Sequence, residues 1–136
     1  MKNIIFFVFF ITCLGFFNCS KDEESDRFSM LTTPVWATDS LLANGIDAGG
    51  PGGILEKFKG DAKFNEDGTG YFGSYTGEWR FNHDETEITI VTDSLALPII
   101  CDIAELTHES LKITTVVPNP LLPLASIDIR MTFNAR

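Results

Sequence analysis

Apolar residues follow two patterns along this chain. The first is a nearly unbroken block, IIFFVFFITCLGFF from Ile4 to Phe17, preceded only by Met1, Lys2 and Asn3. The second starts near Leu31, where short alternating runs are separated by turn residues every ~8 to 12 positions, the pattern of a β-sandwich or barrel. The candidate strands are Trp36 to Leu42, Asp61 to Asn65, Thr69 to Gly73, Gly77 to Phe81, Glu87 to Asp93, Leu97 to Leu106, Leu111 to Val117 and Ser126 to Asn134. In GEWRF, Trp79 and Phe81 face one way and Glu78 and Arg80 the other. In the last run Ile127, Ile129, Met131 and Phe133 share a face.

Turn chemistry supports this division. Glu66-Asp67-Gly68 is a hairpin signal, because Gly68 can take a positive φ without a Cβ clash. Asn44 to Gly53 is too rich in glycine for regular structure, and the prolines from Pro118 to Pro123 forbid a strand. Two segments are ambiguous: Gly53 to Phe58 reads as a poor strand or a turn of helix, and Cys101 to Glu109 as strand or short helix. No helix of ten or more residues is predicted. About eight strands joined mainly by short turns predict an all-β fold, a small up-and-down antiparallel β-barrel whose closure removes exposed edges. Such a barrel is just wide enough to be filled by side chains or to hold one small ligand.

The apolar block is an address rather than a structural element. It is shorter than the ~20 residues needed to span a bilayer core, and a basic n-region precedes it, as in an export signal. It ends at Cys19. FFNCSKDEE, Phe16 to Glu24, resembles the start of a Bacteroidetes-type lipoprotein, with Phe16 and Asn18 where the common lipobox has Leu and then Gly or Ala. The resemblance implies cleavage before Cys19, diacylglycerol on its sulfur and palmitate-like acyl chains in the outer membrane. Ser20 to Asp26 resembles the export signal that sends such lipoproteins to the outer face; a solvated acidic tether on the periplasmic face is the alternative. The chain therefore divides into a signal peptide (1–18), a lipidated, disordered acidic tether (19–30) and a barrel domain (31–136).

Composition changes once the signal is set aside. Half of the 12 Phe lie in residues 1–18, and the remaining 118 residues carry nine bases and 19 acids. That balance excludes nucleic acid as a partner, since phosphate binding requires clustered Lys and Arg, and it disfavours adsorption to anionic lipid. Of the three cysteines, Cys13 leaves with the signal and Cys19 is alkylated, so Cys101 stands alone and no internal disulfide forms. Flanked by Ile99, Ile100 and Ile103, Cys101 reads as a buried apolar filler.

The body also carries a resemblance. FNEDGTG, YTGEWRF, TEITIV and IAELTHESLKIT, in that order, resemble the lipocalin-like domain of Bacteroidetes lipoproteins over roughly Asp61 to Thr115. The matching residues are Phe64, Asp67, Gly68, Thr69, Gly77, Trp79, Ile88, Ile90, Leu106, Thr107 and Leu111. Trp36 stands where that family has an early Gly-x-Trp, without the glycine. The resemblance implies a calycin-like barrel with lipid anchoring.

Candidate chemistry is sparse. Asn65 to Gly70 echoes part of a calcium loop but has Thr76 where a bidentate Glu is needed, so a hairpin turn is expected. Gly49 to Gly53 lacks the Lys and Ser or Thr of a phosphate cradle; by analogy with lipocalins, Asn44 to Gly53 is a candidate lid. His83 and His108 fall in turns with no second ligand at metal spacing, and Ser110 sits on no strained turn that would make it a nucleophile. No catalytic residue, metal or cofactor is expected. Asp-Ser-Leu at Ser40 and again at Ser94 resembles an O-glycosylation motif of Bacteroidetes secreted proteins, although a match this short also arises by chance. Pro118 to Pro123 carries two leucines that either pack on the barrel end or form a contact patch.

Two functions are left standing. In one, the barrel binds a small, partly apolar ligand in a pocket lined by Trp36, Phe64, Trp79, Phe81, Ile88, Ile90, Ile129 and Met131, since such sites are mostly apolar. In the other, the same residues form a filled core, and the barrel is a structural or interaction module that meets an envelope protein partner. Both place the chain on a membrane through its acyl chains. Accordingly, Cys19→Ser is expected to move the protein from the membrane pellet to the soluble fraction on cell fractionation, because chains worth about 0.8 kcal/mol per buried CH₂ are lost. An uncleaved variant retained in the pellet would contradict lipid anchoring.

Overall fold

From Trp36 onward the alternation is realised as one antiparallel sheet of nine strands. The computed structural model describes residues 25–136; the expected signal peptide, Cys19 and the expected tether up to Glu24 lie outside them. The strands are β1 (Trp36–Ala43), β2 (Ile46–Asp47), β3 (Asp61–Phe64), β4 (Thr69–Phe72), β5 (Tyr75–Phe81), β6 (Glu87–Thr92), β7 (Ile99–Leu106), β8 (Ser110–Pro118) and β9 (Ser126–Ala135). Neighbours pair in the order β1, β3, β4 through β9, and β9 pairs back onto β1. The result is a small, closed, eight-stranded antiparallel barrel of up-and-down topology, consistent with a calycin or lipocalin-like fold. The two-residue β2 is an appendage that folds back on the end of β1.

Closure is made by β1. One edge pairs with β9 from Trp36 opposite Ala135 to Ala43 opposite Ile129, with an irregularity at Asp39. Its other edge is divided: Trp36 and Ala37 pair with β3, and Leu42 and Ala43 with β2. Between them Thr38 N–H donates to the Gly60 carbonyl, 3.0 Å. Inward positions of the eight barrel strands form one core, with Trp36, Phe64, Ile88, Leu111, Ile113 and Cys101 among its most deeply buried side chains.

One rim is closed by a helix, α1 (Asp26–Thr32), in the stretch expected to be tether. The expected boundary at 31 falls inside α1, so residues 26–30 are helix and not tether. Ser25 caps the helix, its Oγ accepting from Phe28 N–H at 3.1 Å, and Asp26 suits the positive end of the helix dipole. At the other end the Lys63 amino group donates to the carbonyls of Thr32, Thr33 (3.1 Å) and Pro34 (3.3 Å), satisfying groups a helix end leaves free. Leu31 is completely buried, and Phe28 lies 5.8 Å from the Trp79 ring. Seven residues are too few for a helix to stand alone in water, so tertiary contacts hold it. Periodicity could not reveal those contacts.

Both ambiguous segments are resolved. Cys101 to Glu109 forms no helix: β7 runs to Leu106, and a shift in register between Ile103 and Glu105 breaks the alternation that would have marked it as strand. Within Gly53 to Phe58 a 3₁₀ turn spans Glu56–Phe58. Asn44 and Gly45, both at positive φ, make a tight hairpin turn from β1 into β2. The rest of that glycine-rich loop is packed on β1, with Ala48 N–H donating to Leu41 O at 2.8 Å and Gly49 against the Leu41 side chain.

The residues that carry the family resemblance interlock physically. In the β3–β4 turn, Asp67 Oδ1 accepts from Thr69 N–H (2.9 Å) and Thr69 Oγ1 (2.6 Å), while Gly68 takes φ 87°. The Trp79 indole N–H donates to Asn65 O at 2.9 Å, and the Trp79 backbone N–H to Gly68 O at 2.8 Å. Gly77 is required two residues earlier because β5 and β6 approach closely there: a Cβ on it would lie 1.9 Å from the Val91 carbonyl oxygen. Gly77→Ala is therefore expected to destabilise the protein by at least about 2 kcal/mol, since strand backbone must move to relieve the clash. Urea denaturation with an unchanged midpoint would contradict this.

Candidate functional site: barrel interior and hairpin tip

The residues expected to line a pocket do converge. Trp36, Phe64, Trp79, Ile88, Ile90, Ile129 and Met131 are all buried in the single core, and Phe81 is half-buried against it. Trp79 is the centre of an aromatic group: Phe64 meets it edge-on at 5.5 Å, Phe81 at 5.4 Å, and Phe28 caps it from α1. Sequence reasoning missed Leu31, which plugs the helix end, and Phe58, which closes the side left open by the short β3. Both are buried. Neither lies in a segment with strand alternation, so no periodic signal marked them.

Space inside decides what these residues can do. The void lined by Phe58, Phe64, Phe72, Ile90, Ile113, Met131 and their neighbours measures about 10 Å³. Pockets for small organic ligands run from about 300 to 1,000 Å³, and even a single water needs ~10 to 15 Å³ and polar partners. The wall here is almost wholly apolar, so the void is dry. Open grooves on the outer wall are larger, including one of about 420 Å³ that runs from Leu42 past Thr114 and Arg130 to Val116.

Titratable and nucleophilic groups are held in structural roles. Cys101 is fully buried, and burial, aided by the negative charge of Asp102, pushes its thiol up to about 12. Ser110 Oγ donates to Glu105 Oε2 at 2.7 Å rather than to His108, which is exposed in the adjacent turn, as His83 is in its own. That bond, with the Lys112 ammonium 3.4 Å away, holds the Glu105 carboxyl below its ordinary range. Bonds from the Thr69 side chain and backbone do the same for Asp67, so its oxygen is engaged in the turn. Among the described residues no group of three or more His, Cys, Asp and Glu is placed to hold a metal. Of the two Asp-Ser-Leu sites, Ser40 is half-buried in β1 opposite Thr132, and Ser94 is exposed in the β6–β7 turn.

The second feature lies at the rim opposite α1. Pairing of β8 with β9 continues to Pro118 opposite Ser126, beyond the last β1–β9 pair, so the connecting loop projects past the barrel. Of the two outcomes open for the Pro118 to Pro123 leucines, packing on the barrel end is not realised. Leu121 is 86% exposed, Leu122 60% and Leu124 105%. The loop is nevertheless well tied: Asn119 N–H donates to Ala125 O (3.0 Å), Ala125 N–H to Leu122 O (2.8 Å) and Leu121 N–H to Asn119 Oδ1 (2.9 Å). Leu97, Ile100 and Val116 are also exposed near this rim. The two leucines within Pro118 to Pro123 are the sequence signal for this site. No family model and no curated protein gives a match to the chain.

Proposed function

We propose that the protein is a lipid-anchored, non-catalytic interaction module of the cell envelope, with a barrel that serves as a rigid scaffold around a filled core. The observation that carries this reading is the interior void of about 10 Å³, against the hundreds a ligand requires. A closed eight-stranded barrel is compatible in principle with binding a small apolar ligand. Here the inward aromatic and aliphatic side chains take that space, and the half-exposed surfaces remain for function.

The anchor in this reading is Cys19, through the likeness of its surroundings to a lipoprotein signal. Attachment to the outer membrane follows from the same likeness, and the acids after Cys19 favour the outer face. A mature body with eight bases and 16 acids from residue 25 onward stays soluble beside a membrane it does not adsorb to by charge. Its surface, rather than a buried cleft, then meets another envelope protein.

Titration of the purified mature protein with fatty acids and with an anilinonaphthalene dye tests the filled core. The expected outcome is no saturable change in tryptophan emission, with only the apo mass in native mass spectrometry. Saturable quenching that disappears in a folded Trp79→Ala variant would instead establish a ligand pocket and overturn the reading.

A further inference from the structure

Resting on the reading of the protein as an interaction module, we propose that the β8–β9 hairpin tip is its docking element and that the occupant is a protein with an apolar pocket rimmed by basic side chains. Exposed leucines on one uncharged loop are costly to leave in water, and large apolar patches on soluble proteins mark binding surfaces. The tip loop is already fixed by its own hydrogen bonds from Asn119 to Ala125. Docking it therefore orders little chain, which spares affinity.

The charges on the shoulder below the tip choose the occupant. Val116 sits opposite Asp128, and two residues further along β8, Thr114 lies between Asp102 and Arg130. Arg130 in turn pairs with Leu42, and Leu42 with Asp47. Two carboxylates, Asp102 and Asp128, and one guanidinium thus border the groove that leads from the apolar tip, with Asp47 beyond Leu42. A second copy of this chain would bring the same acidic shoulder against its own, which like charges oppose. An anionic bilayer is opposed in the same way. A pocket with a basic rim is attracted by it.

Geometry agrees with charge. Residues 1–24 join the body at Ser25, which is bound to Glu85 in the β5–β6 turn, at the rim opposite the tip. Six residues from Cys19 to Glu24 span at most about 20 Å. In a body held by Cys19 the leucines therefore lie at the rim farther from the point of attachment.

The test uses a photoreactive benzophenone amino acid placed at position 124, and separately at position 71 on the outward face of β4, in the lipidated protein in cells. The expected result is a discrete heterologous cross-link from position 124 and none from position 71. It should fall about tenfold in Leu121→Ser/Leu122→Ser, with thermal stability unchanged. With the cross-linked partner purified, the yield should also drop several-fold between about 50 mM and about 500 mM salt. A cross-link from position 71 alone would overturn the tip as docking element while leaving an interaction module. Cross-links from neither position would overturn both. Self-cross-linking at 124, or flotation of the unlipidated protein with phosphatidylcholine vesicles through the tip, would replace the basic-rimmed protein with a second copy or a bilayer.

Discussion

Closure of the barrel depends on β1, which must satisfy both of its edges with partners from distant parts of the chain. Trp36 is where these demands meet. It pairs with Ala62 of β3 on one side and Ala135 of β9 on the other, and its buried indole N–H donates to the Leu31 carbonyl at 2.9 Å. A buried indole without that acceptor would carry the desolvation cost of an unmet donor, about 1 to 3 kcal/mol. The same bond fixes where α1 ends, and so sets Leu31 and Phe28 over the core. Arg136 strengthens the closure from the last residue, donating its N–H to Val35 O at 2.8 Å and pairing with Asp61 at 2.9 Å. The pair with Asp61 is exposed and worth little on its own.

Much follows from how tightly this closure is drawn. With α1 over one rim and Phe58 and Leu55 against the gap beside the short β3, the Trp79 and Phe64 rings are buried, and Phe28 and Phe81 cover them from the rim. Among the described residues one buried side-chain polar atom, Thr92 Oγ1 on β6, has no hydrogen-bond partner in the protein. What the core cannot offer, the surface does. The β8–β9 hairpin outruns its neighbours, and that overshoot, rather than any cavity, distinguishes this barrel from a container.

Strands were legible in the sequence because one side faces a core and the other water, and this writes period two directly into GEWRF and SIDIRMTFN. Seven of the eight residues expected to line a pocket are buried for the same reason, and Phe81 is half-buried. What they enclose was not legible, since a wet cavity and a packed core demand the same inward side chains and differ only in how those interdigitate. Other features were hidden by contacts distant in sequence. α1 looks like acidic tether until Lys63, 31 residues from Thr32, caps it. The bulge after Ile103 made β7 ambiguous, and Asn44-Gly45 read as part of a long loop although the pair is a strong hairpin signal. The leucines at 121 and 122 were visible, whereas their exposure depended on how far β8 and β9 extend beyond β1.

The central claim is that the barrel interior belongs to its own side chains. Xenon tests it most directly, because this small apolar atom enters dry cavities that exclude larger ligands. The methyl groups of Ile90, Ile113 and Met131, which border the void of about 10 Å³, can be followed by NMR as xenon pressure is raised. A filled core gives only small, linear, non-saturating shifts at these methyls. Saturable shifts concentrated on them would mean an interior cavity that the side chains leave open, and would contradict a filled core.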